Sequence, residues 1–323
     1  MRYLGQRVLQ SFLLLVGVSL LSFAFVELSP GNFFDDMRLN PRISSETVSS
    51  LRAKYGIDQP LPVRYAHWLG SVAKGEFGFS FAYNTPVSSL LWPRARNTLL
   101  LTTSATMLAW MTALPLGILS AGRRNGWLDR STLVLTAFLL AVPDLLLALG
   151  LLMIALRTHL LPAGGMISLD AENLGAWKQA INIALHMIAP VAVLILASLP
   201  TLIRHTRAAM VDALDSPFVR AARTHGISPL RILIHHAFPA ALNPLISLFG
   251  LSLGSLLSAS LLTEVVMSWP GLGPLLLEAI LGRDVYVVIG SVMAASVFLV
   301  CGTLIADAIL FAADPRIRTE QPA

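Results

Sequence analysis

Apolar residues in this 323-residue chain gather into long runs separated by short polar breaks. A bilayer-spanning helix needs roughly 20 mostly apolar residues. Six stretches meet that length: about Leu9–Leu28, Thr98–Leu119, Thr132–Leu156, Ala180–Ile203, Ala240–Leu262 and Val285–Ala312. The first is too long for the apolar core of a cleavable leader. Glu27-Leu28-Ser29-Pro30-Gly31 follows it in place of a small-x-small cleavage site, so a retained span is expected. The pattern predicts an all-α integral membrane protein with six transmembrane helices.

The polar stretches divide the chain further. Residues 1–28 hold the first span and residues 29–96 form a small extracytoplasmic segment. Residues 97–316 form a five-helix core with a cytoplasmic loop at 204–239, and residues 317–323 are a cytoplasmic tail. In the outer segment Pro60, Pro62, Gly56, Gly70, Gly75 and Gly78 mark turns, and Ser45–Tyr55 and Val63–Val72 read as short helices. The segment is too short for an independent enzyme domain and reads as a cap. No internal repeat is visible.

Composition strengthens the membrane reading. Hydrophobic residues make up 55% and charged residues 13%, against about 25% charged in soluble domains. Mean hydropathy is +0.71. The net charge of +5 comes mostly from arginines beside the apolar runs. A nucleic-acid surface would instead gather basic residues on one face with aromatics between them. Basic residues favour the cytoplasmic side of short loops. With the N-terminus inside, that side receives Arg2, Arg7, Arg123, Arg124, Arg130, Arg204, Arg207, Arg220, Arg223, Arg231, Arg316 and Arg318. The short outer loops receive only Arg157, Lys178 and Arg283. Both termini are therefore expected in the cytoplasm. A single cysteine, Cys301, allows no intrachain disulfide, and no zinc-ligand spacing occurs.

The most informative polar break is Val219–Pro239. Ser216-Pro217 is a helix start, with Ser as N-cap and Pro at the first helical position. Gly226 suits a left-handed C-terminal cap. Ser228-Pro229 repeats the start signal for a second short helix to about His236. On the first helix Phe218, Ala221, Ala222 and His225 are expected to share a face, and small residues there admit another surface closely. Arg220 and Arg223 flank it, placed to meet carboxylates. An amphipathic loop helix lying on the bilayer fits this stretch equally well.

The spacing Arg220-Ala221-Ala222, three residues, Gly226, nine residues, then His236-Ala237-Phe238-Pro239 resembles the loop motif of bacterial ABC-importer permeases. That motif reads Glu-Ala-Ala, three residues, Gly, nine residues and an apolar-x-Leu-Pro ending. Arg220 stands where the Glu is usual, as is common in the peptide branch, and His236 and Phe238 depart from the usual aliphatics. Tyr55-Gly56-Ile57-Asp58-Gln59-Pro60-Leu61, Gly75-Glu76-Phe77-Gly78, Leu161-Pro162 with Gly164-Gly165, and Thr263-Glu264 are similar to further family segments. So are Trp269-Pro270-Gly271-Leu272-Gly273, Arg283-Asp284 and Asp314-Pro315-Arg316-Ile317-Arg318. The likeness is to the dipeptide/oligopeptide/nickel family and its B-type permease subunit.

The resemblance implies a type I ABC importer permease fold in the inner membrane and a permease subunit without its own ATPase site. It implies a second homologous permease, two cytoplasmic ATPase subunits and an extracytoplasmic substrate-binding protein. It assigns Phe218, Arg220, Ala221, Ala222, Arg223, Gly226 and Pro239 to ATPase coupling. No cofactor is expected on this chain, since the partner subunits bind the ATP. The residues agree, because no G-x-x-x-x-G-K-[ST] loop exists; Gly70–Gly75 is followed by Glu76. Small peptides are the expected cargo, with nickel or other metal chelates and glycosides as alternatives on the same scaffold.

Asp144 is the candidate pathway residue, following Pro143 within the third apolar run. A carboxylate at such depth costs roughly 2.5–3.5 kcal/mol on insertion scales, and Pro143 frees a backbone carbonyl beside it. Meeting a cationic substrate group and pairing with another helix both fit. Glu264 is the second candidate, expected just outside the fifth span, where it would touch the binding protein or the outer gate or stand as a solvated loop charge. Ser247, Gly250, Gly254 and Ser258 form a small-residue stripe suited to close helix packing, with the second permease as a candidate partner, more than to substrate contact. Adjacent His235 and His236 diverge by about 100° on a helix and would chelate a metal poorly. An ion-coupled secondary transporter would want more acids within the spans and often a repeat. A membrane protease built on Ser255 and His186 lacks a nucleophile context.

Overall fold

The computed structural model describes residues 2–28, 59–168 and 175–313, with 37, 46 and 48–50 between them. The expected helix Ser45–Tyr55 falls largely outside these residues. The Tyr55–Asp58 stretch and the Asp314–Arg318 signature fall wholly outside. Five helical stretches are long and apolar enough to cross a membrane. They are α1 (Arg2–Leu28), α3 (Val87–Gly122), α6 (Ala176–Leu214), the path Pro229–Val266, and α11 (Val285–Ala313).

The expected third span is not one helix. α4 (Trp127–Ala141) and α5 (Asp144–Thr158) meet at a 96° bend. The cause is local. Pro143 has no N–H to give, and its ring disfavours a helical residue before it. Val142 is accordingly extended at φ −94°, ψ 117°. Pro190 and Pro200 make the same demand inside α6, yet that helix runs on through both, and both are buried.

Two expected boundaries shift. The last ten residues of the outer segment already belong to α3, which at 36 residues is about 54 Å long, beyond the ~30 Å hydrocarbon core. Arg204–Leu214, placed in the cytoplasmic loop, remain part of α6.

The chain packs as two units. The first comprises the described parts of Met1–Arg7, Leu99–Trp269 and Leu299–Ala323. Its main core gathers Trp110, Leu202, Ile203, Met210, Val219, Ile232, Leu233 and Leu245. A second cluster closes around fully buried Trp269, with Leu101, Leu194 and Leu256. At its two glycines the small-residue stripe packs closely within the chain. A Cβ on Gly250 would stand 2.6 Å from Ala306 Cβ, and one on Gly254 would collide with Leu299. Ser247 and Ser258 at its ends are exposed.

The second unit comprises the described parts of Val8–Thr98 and Pro270–Phe298. Phe23, Trp68, Ile289 and Met293 form its core, with Trp68 on α2 (Leu61–Val72). β1 (Phe79–Ser80) and β2 (Thr85–Pro86) make a short hairpin that pairs Ser80 with Thr85. Asp284 pins it: Ser80 Oγ and the Ala82 N–H donate to Asp284 Oδ2 at 2.6 and 3.1 Å. The Tyr83 hydroxyl donates to Glu278 on α10 (Leu272–Leu281), and that hydrogen bond pushes the phenol up to about 12. Asn97 Nδ2 donates to Pro270 O at 2.8 Å, and the Leu272 N–H donates to Thr98 Oγ1 at 2.8 Å. These two bonds tie the Pro270–Gly273 turn to α3.

Candidate functional site

α7 (Pro217–Thr224) is the first helix of the loop expected on the cytoplasmic side. Its start is the expected Ser216-Pro217 pair, but the Ser216 hydroxyl does not cap it. That hydroxyl donates back to Ala213 O at 2.6 Å, and extended φ/ψ at Ser216 with Pro217 at the first position make the start. The stop is as expected. Gly226 has φ +74°, its N–H donates to Arg223 O at 3.0 Å, and the Ile227 N–H donates to Ala222 O at 3.3 Å. These two bonds form a Schellman turn. A Cβ on Gly226 would meet nothing within 4 Å, so glycine is required there by backbone conformation, not by space.

One face of α7 is anchored and the other is free. Val219 is fully buried in the main core, and Ala222 and Ile227 pack half-buried beside it. Phe218, Arg220, Ala221, Arg223 and His225 are exposed. The four residues expected to share a face therefore divide, with Ala222 turned toward the core. Phe218 is 51% exposed, a large ring held in the open on a helix whose other side is locked down. Neither Arg220 nor Arg223 meets a carboxylate among the described residues.

The second loop helix does not stop near His236. α8 (Pro229–Ile232) passes through a wide turn, Leu233–Ala237, into α9 (Phe238–Val266). In that turn the Phe238 N–H bonds to Leu233 O, five residues back. Pro239 explains the widening: it cannot donate to the carbonyl of His235, and a π-type turn relieves the clash of its ring. Phe238 packs half-buried on the main core, filling the place of the usual aliphatic.

Behind α7 lies a cleft of about 850 Å³, lined by Arg123, Arg124, Asp215, Arg223 and Leu230 over an apolar floor that includes Leu214 and Leu233. Arg124 Nη1 and Asp215 Oδ2 are 3.1 Å apart across its rim, both more than half exposed. A deeper ion pair escaped the sequence reading. Arg207 donates to Asp129 through Nε at 2.6 Å and Nη2 at 2.9 Å, and Asp129 is 1% exposed. Each sits among other charges, Asp129 beside Arg130 and Arg207 three residues after Arg204, and nothing local pairs two residues 78 positions apart.

The pathway candidates separate. Asp144 is exposed at the first position of α5, beside the Val142–Pro143 corner. Glu264 lies in the last turn of α9 and is fully buried. With its side chain fully buried it is neither a solvated loop charge nor a residue offered to a soluble partner. The Gly165 N–H donates to Met267 O at 3.0 Å, and a Cβ on Gly164 would stand 2.8 Å from that oxygen. The Gly164-Gly165 pair is thus what lets its loop lie on the turn after α9.

Residues 113–319 match the family described as binding-protein-dependent transport system inner membrane component, and residues 1–102 match its N-terminal membrane component. The chain is 36% identical over 318 residues to the oligopeptide transport system permease protein AppB of Bacillus subtilis, covering 98% of each. It is 32% identical over 320 residues to the dipeptide transport system permease protein DppB of Escherichia coli K12, covering 94% of each. Its fold is similar to a chain of the MetNI methionine ABC transporter in an inward-facing conformation. There the TM-score is 0.57 at 20% identity, covering 70% of this chain and 96% of the other.

Proposed function

This chain belongs to the family of binding-protein-dependent transport system inner membrane components, and from that premise we propose that it forms the translocation pathway for small peptides in an ATP-driven importer. α7 is the observation that carries the reading. A helix anchored by one buried valine and closed by a glycine turn holds an exposed aromatic ring and two exposed guanidinium groups that meet no carboxylate among the described residues. That surface suits a soluble partner bearing carboxylates and an apolar recess. The partners are two cytoplasmic ATPase subunits, which bind the ATP, a second homologous permease, and an extracytoplasmic binding protein. Both termini lie in the cytoplasm, as the arginine distribution requires. The chain performs no chemistry of its own.

Peptide cargo is supported by the names of the full-length relatives, an oligopeptide and a dipeptide permease. Asp144 adds a physical reason. An exposed carboxylate at a corner between two apolar helices can meet a peptide's amino terminus as it passes.

The test is uptake of a labelled dipeptide into proteoliposomes carrying this chain, its partner permease and the ATPases, with the binding protein on the substrate side. Uptake is expected only with hydrolysable ATP, and a formyl-blocked dipeptide should enter more slowly. Uptake driven by an ion gradient without ATP would overturn the importer reading. Uptake of a metal chelate but of no peptide would overturn the cargo.

A further inference from the structure

Behind the loop helix lies a side-chain network that neither the docking surface nor the pathway uses. Asp129 receives Arg207 Nε and Nη2 at 2.6 and 2.9 Å, the Ser120 hydroxyl at 2.5 Å and the Asn125 N–H at 2.9 Å. Ser120 and Thr132 share a further hydrogen bond at 3.1 Å. A bidentate guanidinium–carboxylate pair fixes orientation as well as distance. Breaking one in a buried site strands a charge. It therefore adds a directional restraint against sliding and rotation of one helix on another to what apolar packing supplies.

The backbones close in at the same level. A Cβ on Gly117 would stand 2.7 Å from Thr206 Cβ and 3.2 Å from the Arg207 nitrogen. The end of α3, the first turn of α4 and α6 at Arg207 thus form one block. Two elements project from it. α6 continues about two turns to Leu214 and, after Asp215 and Ser216, gives way to α7. α4 runs as a rod of 15 residues, about 22 Å, to the corner where Asp144 opens α5.

Resting on the reading of α7 as a docking helix, we propose that the Asp129–Arg207 pair is the linkage that carries displacement of α7 to the Val142–Pro143 corner. Asp129 and Arg207 are positioning residues for the transport cycle; they touch no substrate. An ATPase that moves α7 moves the lower end of α6. The ion pair makes α4 follow, and the change is taken up where the backbone is already extended, at Val142. Without the pair, α4 would slip against α6 and the corner would not respond.

The test uses the full complex in proteoliposomes on a Cys301→Ser background. Spin labels at Leu135→Cys and Leu149→Cys, both exposed, sit on either side of the corner. In the parent, trapping ATP should shift the inter-label distance. In Asp129→Asn that shift should vanish, and uptake per ATP hydrolysed should fall at least tenfold while hydrolysis persists. The double variant Asp129→Leu/Arg207→Met replaces the pair by apolar packing, which keeps such sites folded. It should be equally uncoupled, so the loss reports the linkage and not stability. A double variant with the parent's distance shift and uptake per ATP within twofold of the parent would overturn the proposal. So would a parent whose corner ignores ATP. If the parent hydrolyses ATP but moves no peptide, the cargo reading fails while the distance measurement still decides the linkage.

Discussion

α7 and the Asp129–Arg207 pair lie at either end of the last two turns of α6, and they are built by opposite means. α7 is made by neighbours in sequence: Ser216 and Pro217 start it, Gly226 stops it, and Val219 anchors it. The ion pair joins residues 78 positions apart and depends on two helices arriving at one depth with matched side chains. The local device leaves a surface free for a partner. The long-range device turns inward, with both carboxylate oxygens of Asp129 taken. One is suited to being pushed and the other to transmitting the push.

If that contrast is right, the largest effect on stability belongs to the buried pair. Asp129→Ala removes the partner of an Arg207 that is itself partly exposed and should cost about 2–3 kcal/mol, read as a lowered unfolding midpoint in detergent. A loss below about 1 kcal/mol would mean that water reaches the site and the pair is not a clamp. Next comes the glycine turn. Gly226→Val forces a branched side chain to φ +74° and should cost about 1–2 kcal/mol. Gly226→Asn, which tolerates that conformation, should stay within about half a kcal/mol of the parent. Equal losses for both would show that the turn is held by something other than backbone geometry. The smallest effect belongs to the rim. Arg124 and Asp215 are solvent-exposed, so Asp215→Ala should change stability by less than about 1 kcal/mol, and by less still in high salt.

The same contrast explains what was legible. Five of the six apolar runs, both ends of α7 and the positive φ at Gly226 follow from local rules and are where the chain pattern puts them. The third run, by contrast, is bent, and the second loop helix runs on past His236. Pro143 was visible, but not its consequence: Pro190 and Pro200 are the same signal, and α6 does not break there. Whether a proline ends a helix depends on what its neighbours bury, which local sequence does not encode. The Gly250–Gly254 stripe was visible too, but its partner proved to be Ala306 and Leu299 of the same chain. Glu264 was misplaced because α9 runs to Val266, beyond the expected span end at Leu262. Asp129 and Arg207 were ordinary single charges until the fold joined them.

The most direct test of α7 as the ATPase joint is Gly226→Asp. No atom lies within 4 Å of the new Cβ, and aspartate is among the residues that accept a left-handed backbone. The substitution therefore changes the charge of the docking surface more than its shape. We expect membrane insertion and the unfolding midpoint to stay near the parent's, while ATP-driven dipeptide uptake by the reconstituted complex falls at least tenfold. Unchanged ATP-driven uptake in that variant would contradict the account.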